Sequence, residues 1–361
     1  MSRLSRRVLI LTAWSLVPAG LMAWAQAPQT PPGGANAPSV ANANAPFDFR
    51  IEPVTRNLYK AWLQRQIPVV TVFLVTADGI ILADPISPEF SARLRTELAS
   101  RFPGKPVKWV IETHYHWDHA RGGAMFADTA TFLGHENLRT NLRLPIAQAP
   151  PPGETTDLDG DNQLDRNRES QTATRAQFDM LDKDHSGLIS QEALVADVRR
   201  PDIVFKDEYT ITLGGQHARV IWAKNRHTSD MVDILFQEER VLFAGDYVQG
   251  KQLCCGFAFD HRSMTAWINS LKALGQLDFD TEVRSHNPVT IPKAEVVASI
   301  QWFEDLRAQV SAGIKVGKSL DELQKTLTFG AYKDWAGHNQ LPAMIESAYN
   351  SLTRFDDRIT R

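Results

Sequence analysis

The stretch THYHWDHARGG, Thr113–Gly123, puts His114, His116, Asp118 and His119 within six positions of a 361-residue chain that holds only 10 His. The residues leading into it, VKWVIET (107–113), are apolar and β-branched and read as a strand. Continued as extended chain, the strand would point positions 114, 116 and 118 to one side. His119 breaks that alternation and is expected to face a different centre. Imidazole and carboxylate together suit zinc, or iron or manganese where those are supplied. The cluster is enough for one nitrogen-rich site and the beginning of a second.

Working outward, strand and helix patterns alternate on both sides. VVTVFLVT (69–76) and IILADP (80–85) flank the turn signal Asp78-Gly79 and read as a hairpin. Ser87 caps a helix whose apolar residues Phe90, Leu94 and Leu98 recur at helical spacing. Past Arg200, YTITL, ARVIWAK, MVDILF and RVLFAGD are short strands, and from about Lys293 the pattern turns mainly helical. Three of the later segments carry further candidate ligands: NRHTSDMV has His227, LFAGDYV has Asp246 and VRSHNPV has His286. ILADP ends at Asp84. His135, His185, His217 and His261 have no partner spacing and are taken as structural or exposed, and Trp117 as either pocket lining or packing.

With these motifs in this order the chain resembles the metallo-β-lactamase superfamily, whose signature His-x-His-x-Asp-His follows a strand. The resemblance covers about residues 47–150 and 201–300. It implies an α/β chain folded as an αββα sandwich, with metals at one edge between the sheets. Carried over residue by residue, it implies one zinc on His114, His116 and His227. A second zinc would sit on Asp118, His119 and His286, with Asp246 bridging and Asp84 as a structural acid beside them. Two departures stand out: Arg226 replaces a common Gly before His227, and Ser285 and Asn287 replace the Gly residues that often flank the last His. Gly permits close backbone approach, so the pocket is expected to differ in shape there.

Two divalent ions that share a water lower its pKa towards ~7 and supply a nucleophile at neutral pH. Asp118 is the expected catalytic residue, binding metal and orienting that nucleophile. No Gly-x-Ser-x-Gly stretch offers a competing nucleophile. The expected activity is hydrolysis of an ester, lactone, thioester or amide, β-lactams included. Asp at 246, instead of the Cys of the commonest β-lactamases, is more like thioester hydrolases and lactonases. Two alternatives stay open: a mononuclear iron enzyme similar to the sulfur dioxygenases, and an inactive, calcium-stabilised binding protein.

Composition bounds the rest. The chain is 43% hydrophobic and 22% charged, ordinary for a globular protein. Residues 1–25 have a basic start, an apolar run and the small-residue pattern Ala23-Trp24-Ala25, the layout of a cleaved export signal. Loss of Arg3, Arg6 and Arg7 with that segment takes the net charge from −3 to −6. A mildly acidic chain is a poor nucleic-acid binder, so the expected partner is a small-molecule substrate. The expected location is periplasmic or secreted, with no membrane span left after cleavage. Residues 26–46, rich in Pro, Ala, Asn and Gly, read as a flexible tether. Cys254 and Cys255 are adjacent and unsuited to an easy disulfide with each other.

The catalytic domain is therefore expected over 47–150 and 201–361, interrupted by an acidic insertion at 151–200. DLDGDNQLDRNRE places Asp157, Asp159, Asp161 and Asp165 at positions 1, 3, 5 and 9 of a calcium loop. DKDHSGLISQEA repeats the scheme with Asp182, Asp184 and Ser186, and with Gly187 at position 6. Both resemble EF-hand loops, but position 12 is Arg168 or Ala193 where a Glu belongs, and Asn162 replaces Gly in the first loop. The expectation is a structural calcium module that also shapes one wall of the active-site mouth.

Overall fold

A computed structural model describes residues 48–63, 68–144, 161–169, 178–179, 181–224, 227–253 and 263–354. The export signal, the tether, Asp157, Asp159, Arg226, Cys254, Cys255 and His261 lie outside these residues.

Strands form where the apolar, β-branched runs predict them. β1 (Phe49–Pro53) and β2 (Leu58–Leu63) lead into β3 (Val70–Val75) and β4 (Ile80–Ala83). The turn at Asp78-Gly79 closes β3 onto β4 in the register Phe73↔Leu82, Leu74↔Ile81, Val75↔Ile80. Helix α1 (Pro88–Arg101) starts at Ser87, whose hydroxyl accepts from the Phe90 amide 3.2 Å away, with Pro88 pre-set for the first turn. It returns the chain to β5 (Val107–Glu112), which runs parallel to β4 and then to β6 (Thr131–His135). The second sheet on one face and helix α1 on the other bury these strands, so they are largely continuous apolar runs rather than alternating ones.

Within the insertion, β7 (Gln163–Asp165) pairs antiparallel with β8 (Leu188–Ser190), followed by the short helix α4 (Gln191–Val195); α2 (Trp117–Ala120) and α3 (Leu138–Asn141) precede it. β9 (Ile203–Phe205) then rejoins the first sheet beside β6. Among the described residues that sheet has the order β1-β2-β3-β4-β5-β6-β9. The second sheet is β10 (Glu208–Leu213), β11 (Gln216–Trp222), β12 (Val232–Phe236), β13 (Val241–Phe243), β14 (Thr281–Val283) and β15 (Thr290–Pro292), in that order. Helices α5 (Met264–Gly275), α6 (Lys293–Lys315), α7 (Leu320–Thr326) and α8 (Leu341–Arg354) fill the rest.

Three apolar clusters bind four layers. Leu74, Ile81 and Ile111 of the first sheet meet Val220, Ile234 and Phe243 of the second. Phe90, Leu94 and Leu98 of α1 cover the outside of the first sheet against Phe73, Leu82 and Val110. Trp267, Trp302, Leu306 and Ile345 of the later helices cover Leu235 and Leu242. The expected αββα sandwich is what forms. No helix among the described residues is long and apolar enough to cross a membrane.

Candidate metal centre

The donors come from loops at one edge of both sheets, where β5, β12, β13 and β14 meet the segments that follow or precede them. β5 ends at Glu112, and a four-residue helix, α2 (Trp117–Ala120), begins three residues beyond His114. The expectation that 114, 116 and 118 share one extended face therefore fails for Asp118. His116 caps the helix, its carbonyl accepting from the His119 and Ala120 amides, so Asp118 and His119 turn together towards a second centre. Tertiary bonds, not the local pattern, impose this turn: the Ile86 amide donates to the His119 carbonyl at 2.9 Å, and Ile86 bridges Ala120.

Two donor groups result, each with ligand atoms within 4.8 Å of one another: His114, His116, His227 and Asp246; and Asp118, His119 and His286. In the first, His116 Nδ1 lies 2.9 Å from His114 Nε2 and 3.2 Å from His227 Nε2. Asp246 Oδ2 is 3.5 Å from His114 Nε2 and 3.4 Å from His227 Nε2. In the second, His119 Nε2 and His286 Nε2 stand 3.2 Å apart, and Asp118 Oδ2 is 3.8 and 3.6 Å from them. Asp246 also faces this group, with Oδ1 3.3 Å from His119 Nε2 and Oδ2 3.2 Å from His286 Nε2. The seven residues thus form two donor groups, both of which face the Asp246 carboxylate.

These separations test whether metal fits. Donors of a tetrahedral ion with bonds of about 2.0–2.1 Å stand about 3.3 Å from each other, and the closest donor pairs here bracket that value. Asp118 Oδ1 and His286 Nδ1 are buried with no hydrogen-bond partner among the described residues, although buried polar atoms are rarely left so. The residues fit two ions.

Surrounding groups fix ring orientation. Asp84 is fully buried and accepts at Oδ1 from the Thr113 amide (2.8 Å) and at Oδ2 from the Thr113 hydroxyl (2.7 Å). His119 Nδ1 donates to the same Oδ2 at 3.0 Å, which leaves Nε2 bare towards the centre. Thr113 Oγ1, 3.0 Å from His114 Nδ1, does the same for that ring. The Ser285 hydroxyl donates to Asp246 Oδ1 at 2.5 Å. Ser285 therefore replaces the common Gly with a hydrogen bond to the carboxylate that both donor groups face, while Asn287 merely accepts from the Val289 amide in the turn beyond. Trp267 packs edge-on against the His227 ring, centroids 6.3 Å apart. The sequence reading found Asp84 but gave no role to Thr113, Ser285 or Trp267. Only Thr113, adjacent to the motif, carried any signal.

Electrostatics suit ligation. Burial, then the imidazoles of His114 and His227, push His116 well below its ordinary pKa, so it is a neutral donor. Burial opposes the Asp246 charge, yet His119, His286 and His114 hold its carboxyl well below the usual range. Burial likewise opposes charge on His119 and His286, while Asp246 and Asp118 raise both. The His286 side chain is 29% exposed against 0% for His114 and His119, which marks the side open to solvent.

Among the described residues, His135 is structural and His217 is exposed. Buried His135 holds the Lys206 carbonyl and stacks on Trp222, and His217 pairs with Glu238 at the surface. Asp161, Asp165, Asp182, Asp184 and Ser186 all lie in the insertion, away from the seven donors in sequence. They pair with backbone amides of their own loops: Asp182 takes Ser186 and Gly187, Asp165 takes Asn167 and Arg168.

Comparison with known proteins supports the same frame. A model of the metallo-beta-lactamase superfamily matches residues 65–286. A metallo-beta-lactamase from Pontibacter korlensis superposes with TM-score 0.49 at 17% identity, over 71% of this chain and 99% of that one. The stereoselective inverting sec-alkylsulfatase Pisa1 from Pseudomonas sp. superposes with TM-score 0.57 at 13% identity, over 85% of this chain and 51% of that one. A double mutant of PisA1 gives 0.58 at 14% over 84% and 50%. The 2,4-dinitroanisole O-demethylase subunit alpha from Nocardioides sp. (strain JS1661) is 45% identical over 60 residues, 16% of this chain and 18% of that subunit. This chain thus spans about half of the sulfatase and under a fifth of the demethylase subunit. The family match begins before β3 and ends on His286, running through every segment that delivers a donor, and the chain belongs to the metallo-beta-lactamase superfamily.

Proposed function

We propose that this chain is an exported hydrolase that holds two zinc ions and cleaves a small ester, lactone, thioester or amide. One observation carries the reading: Asp246 Oδ2 faces His114 and His227 of the first group and His286 of the second, and Oδ1 faces His119 of the second, all at 3.2–3.5 Å, the placement of a carboxylate shared by two ions. His114, His116 and His227 would hold one, and Asp118, His119 and His286 the other. Bound zinc supplies Lewis-acid polarisation and activates water at neutral pH. Asp118, whose Oδ1 is buried and unpaired among the described residues, orients the attacking water and takes its proton. Asp84 and Thr113 hold the imidazoles so that their Nε2 atoms stay directed inward, and Ser285 fixes Asp246. Export rests on the signal-like residues 1–25 and would place the chain in the periplasm or outside the cell.

The test is a hydrolysis panel on purified protein of measured metal content: β-lactams, lactones, thioesters, and phosphate and sulfate esters. Sulfate esters join it because two solved structures with this fold are sec-alkylsulfatases. Two zinc per chain with turnover of one class is the expected result, and Asp118→Ala should lower kcat/KM at least ~1000-fold, the scale of removing a principal catalytic group. One iron per chain would instead favour the oxygenase alternative. Turnover undiminished in Asp118→Ala refutes the mechanism.

For the insertion we propose weak structural calcium loops. β7 and β8 pair through Leu164↔Ile189, the eighth residue of each loop, so the loops sit back to back. Asn162, standing where Gly is usual, adopts φ 64, a left-handed conformation that Asn tolerates. Glu169, one position late, turns back so that its carboxylate accepts from the Asp165 amide at 2.8 Å. Calorimetric titration with Ca2+ decides this: millimolar affinity or tighter is expected, and no heat at millimolar Ca2+ refutes it.

A further inference from the structure

We propose that the insertion is a clamp on helix α2, with Trp117 and Arg121 as positioning residues that set the affinity of the second metal pocket. This rests on the two-metal reading above and adds to it a task for residues 161–198.

The insertion has its own apolar cluster, Leu164, Phe178, Leu181, Ile189 and Leu194. The catalytic domain contributes Trp117 to it, packed against these side chains. Trp117 is the residue between ligands His116 and Asp118, so its seat fixes the first turn of α2. Its Nε1 is buried without a hydrogen-bond partner among the described residues, so the contact is apolar throughout. At the other end of α2, Arg121 is 4% exposed and its guanidinium pairs with Asp197, the residue with which the insertion returns to the domain. The Gly122 amide donates to the Asp197 carbonyl at 3.0 Å, and Arg121 bridges Val198. Lys183, inside the second acidic loop, lies 3.4 Å from Asp197 and ties that loop to the same joint.

Helix α2 is too short to be stable by itself, since a single turn does not repay its nucleation. Its two ends are held by the insertion on one side and by Ile86 on the other. Asp118 and His119, two of the three donors of the second pocket, ride on it. His114, His227 and Asp246 of the first pocket come from other segments, and His116 only caps the helix. Loosening the insertion's grip should therefore weaken the second pocket before the first. Misplacing groups that orient ligands typically costs 10–100-fold in metal affinity.

The experiment is zinc competition with a chromophoric chelator, on full-length protein stripped and reloaded, resolving the two dissociation constants. Trp117→Ala is expected to weaken the second zinc at least tenfold and the first less than threefold. Trp117→Phe, which keeps an apolar ring in the seat, is expected to restore both to within threefold of wild type. Both constants unchanged in a folded Trp117→Ala protein would overturn the clamp, even with its thermal midpoint lowered, and so would equal weakening of the two. If Trp117→Ala does not fold, Asp197→Asn and Arg121→Gln decide. Each should weaken the second zinc, and the double variant no more than the worse single one, whereas unaltered second-site affinity overturns the proposal. Wild type that binds fewer than two zinc refutes the two-metal reading itself, a result distinct from two zinc bound with equal affinity in every variant.

Discussion

Asp84 shows how much of the centre depends on a residue that touches no metal position. It is fully buried, holds φ at 45°, and gathers the Thr113 amide, the Thr113 hydroxyl and His119 Nδ1. A non-Gly residue in the left-handed region is sustained only where its surroundings over-determine it. Here three hydrogen bonds do so, and Asp tolerates that conformation better than a β-branched residue would. Asp84→Asn keeps the shape but offers one acceptor oxygen to three donors and turns an amide N–H towards one of them. Zinc affinity should fall 10–100-fold, read by chelator competition, with the fold intact by circular dichroism. Its place near the site followed from the ILADP pattern. That Ser285 would hydrogen-bond the Asp246 carboxylate did not, because Ser285 and Asp246 are 39 positions apart and no local spacing couples them.

Strands β3, β4, β5 and β12 could be read from their apolar runs because they are buried along most of their length, and helix α1 from its cap and the buried stripe Phe90, Leu94 and Leu98. Helix α2 could not: four residues do not complete a hydrophobic period, and its turn is fixed by Ile86 and Asp197. The joint at Gly122 tests this. Gly122 has φ 88, and a Cβ there would stand 2.4 Å from the carbonyl carbon and oxygen of Ser87. Both the conformation and the space exclude a side chain, and backbone at the helix cap cannot step aside cheaply. Gly122→Ala should lose about 2–4 kcal/mol in urea unfolding, the range for strain at a special backbone position combined with overpacking. A loss under 0.5 kcal/mol would show that α2 is not held this tightly against α1.

The molecule as a whole encloses acids that its fold keeps protonated, and this sets the sign of its pH response. Glu112 and Glu282 are fully buried, and their carboxyl oxygens have no hydrogen-bond partner among the described residues; burial pushes both well above the usual range. Burial also raises Asp233 on β12 to about 8, although the Tyr247 hydroxyl, 2.8 and 2.9 Å from its two oxygens, opposes this. The unfolded chain ionises such groups near 4, while the native fold retains their protons. Between those limits unfolding releases protons, so stability falls as pH rises and levels off once the native group ionises. For Asp233 the window runs from about 4 to about 8. Asp233→Asn mimics the protonated side chain and removes its part of the loss, on the order of a few kcal/mol at the upper end. The variant's thermal midpoint, measured on metal-loaded protein, should exceed that of wild type by a margin that widens from pH 5 to pH 8 and holds steady at pH 9. A margin constant across that range would mean that Asp233 is already ionised in the native fold, and a margin that narrows would reverse the sign.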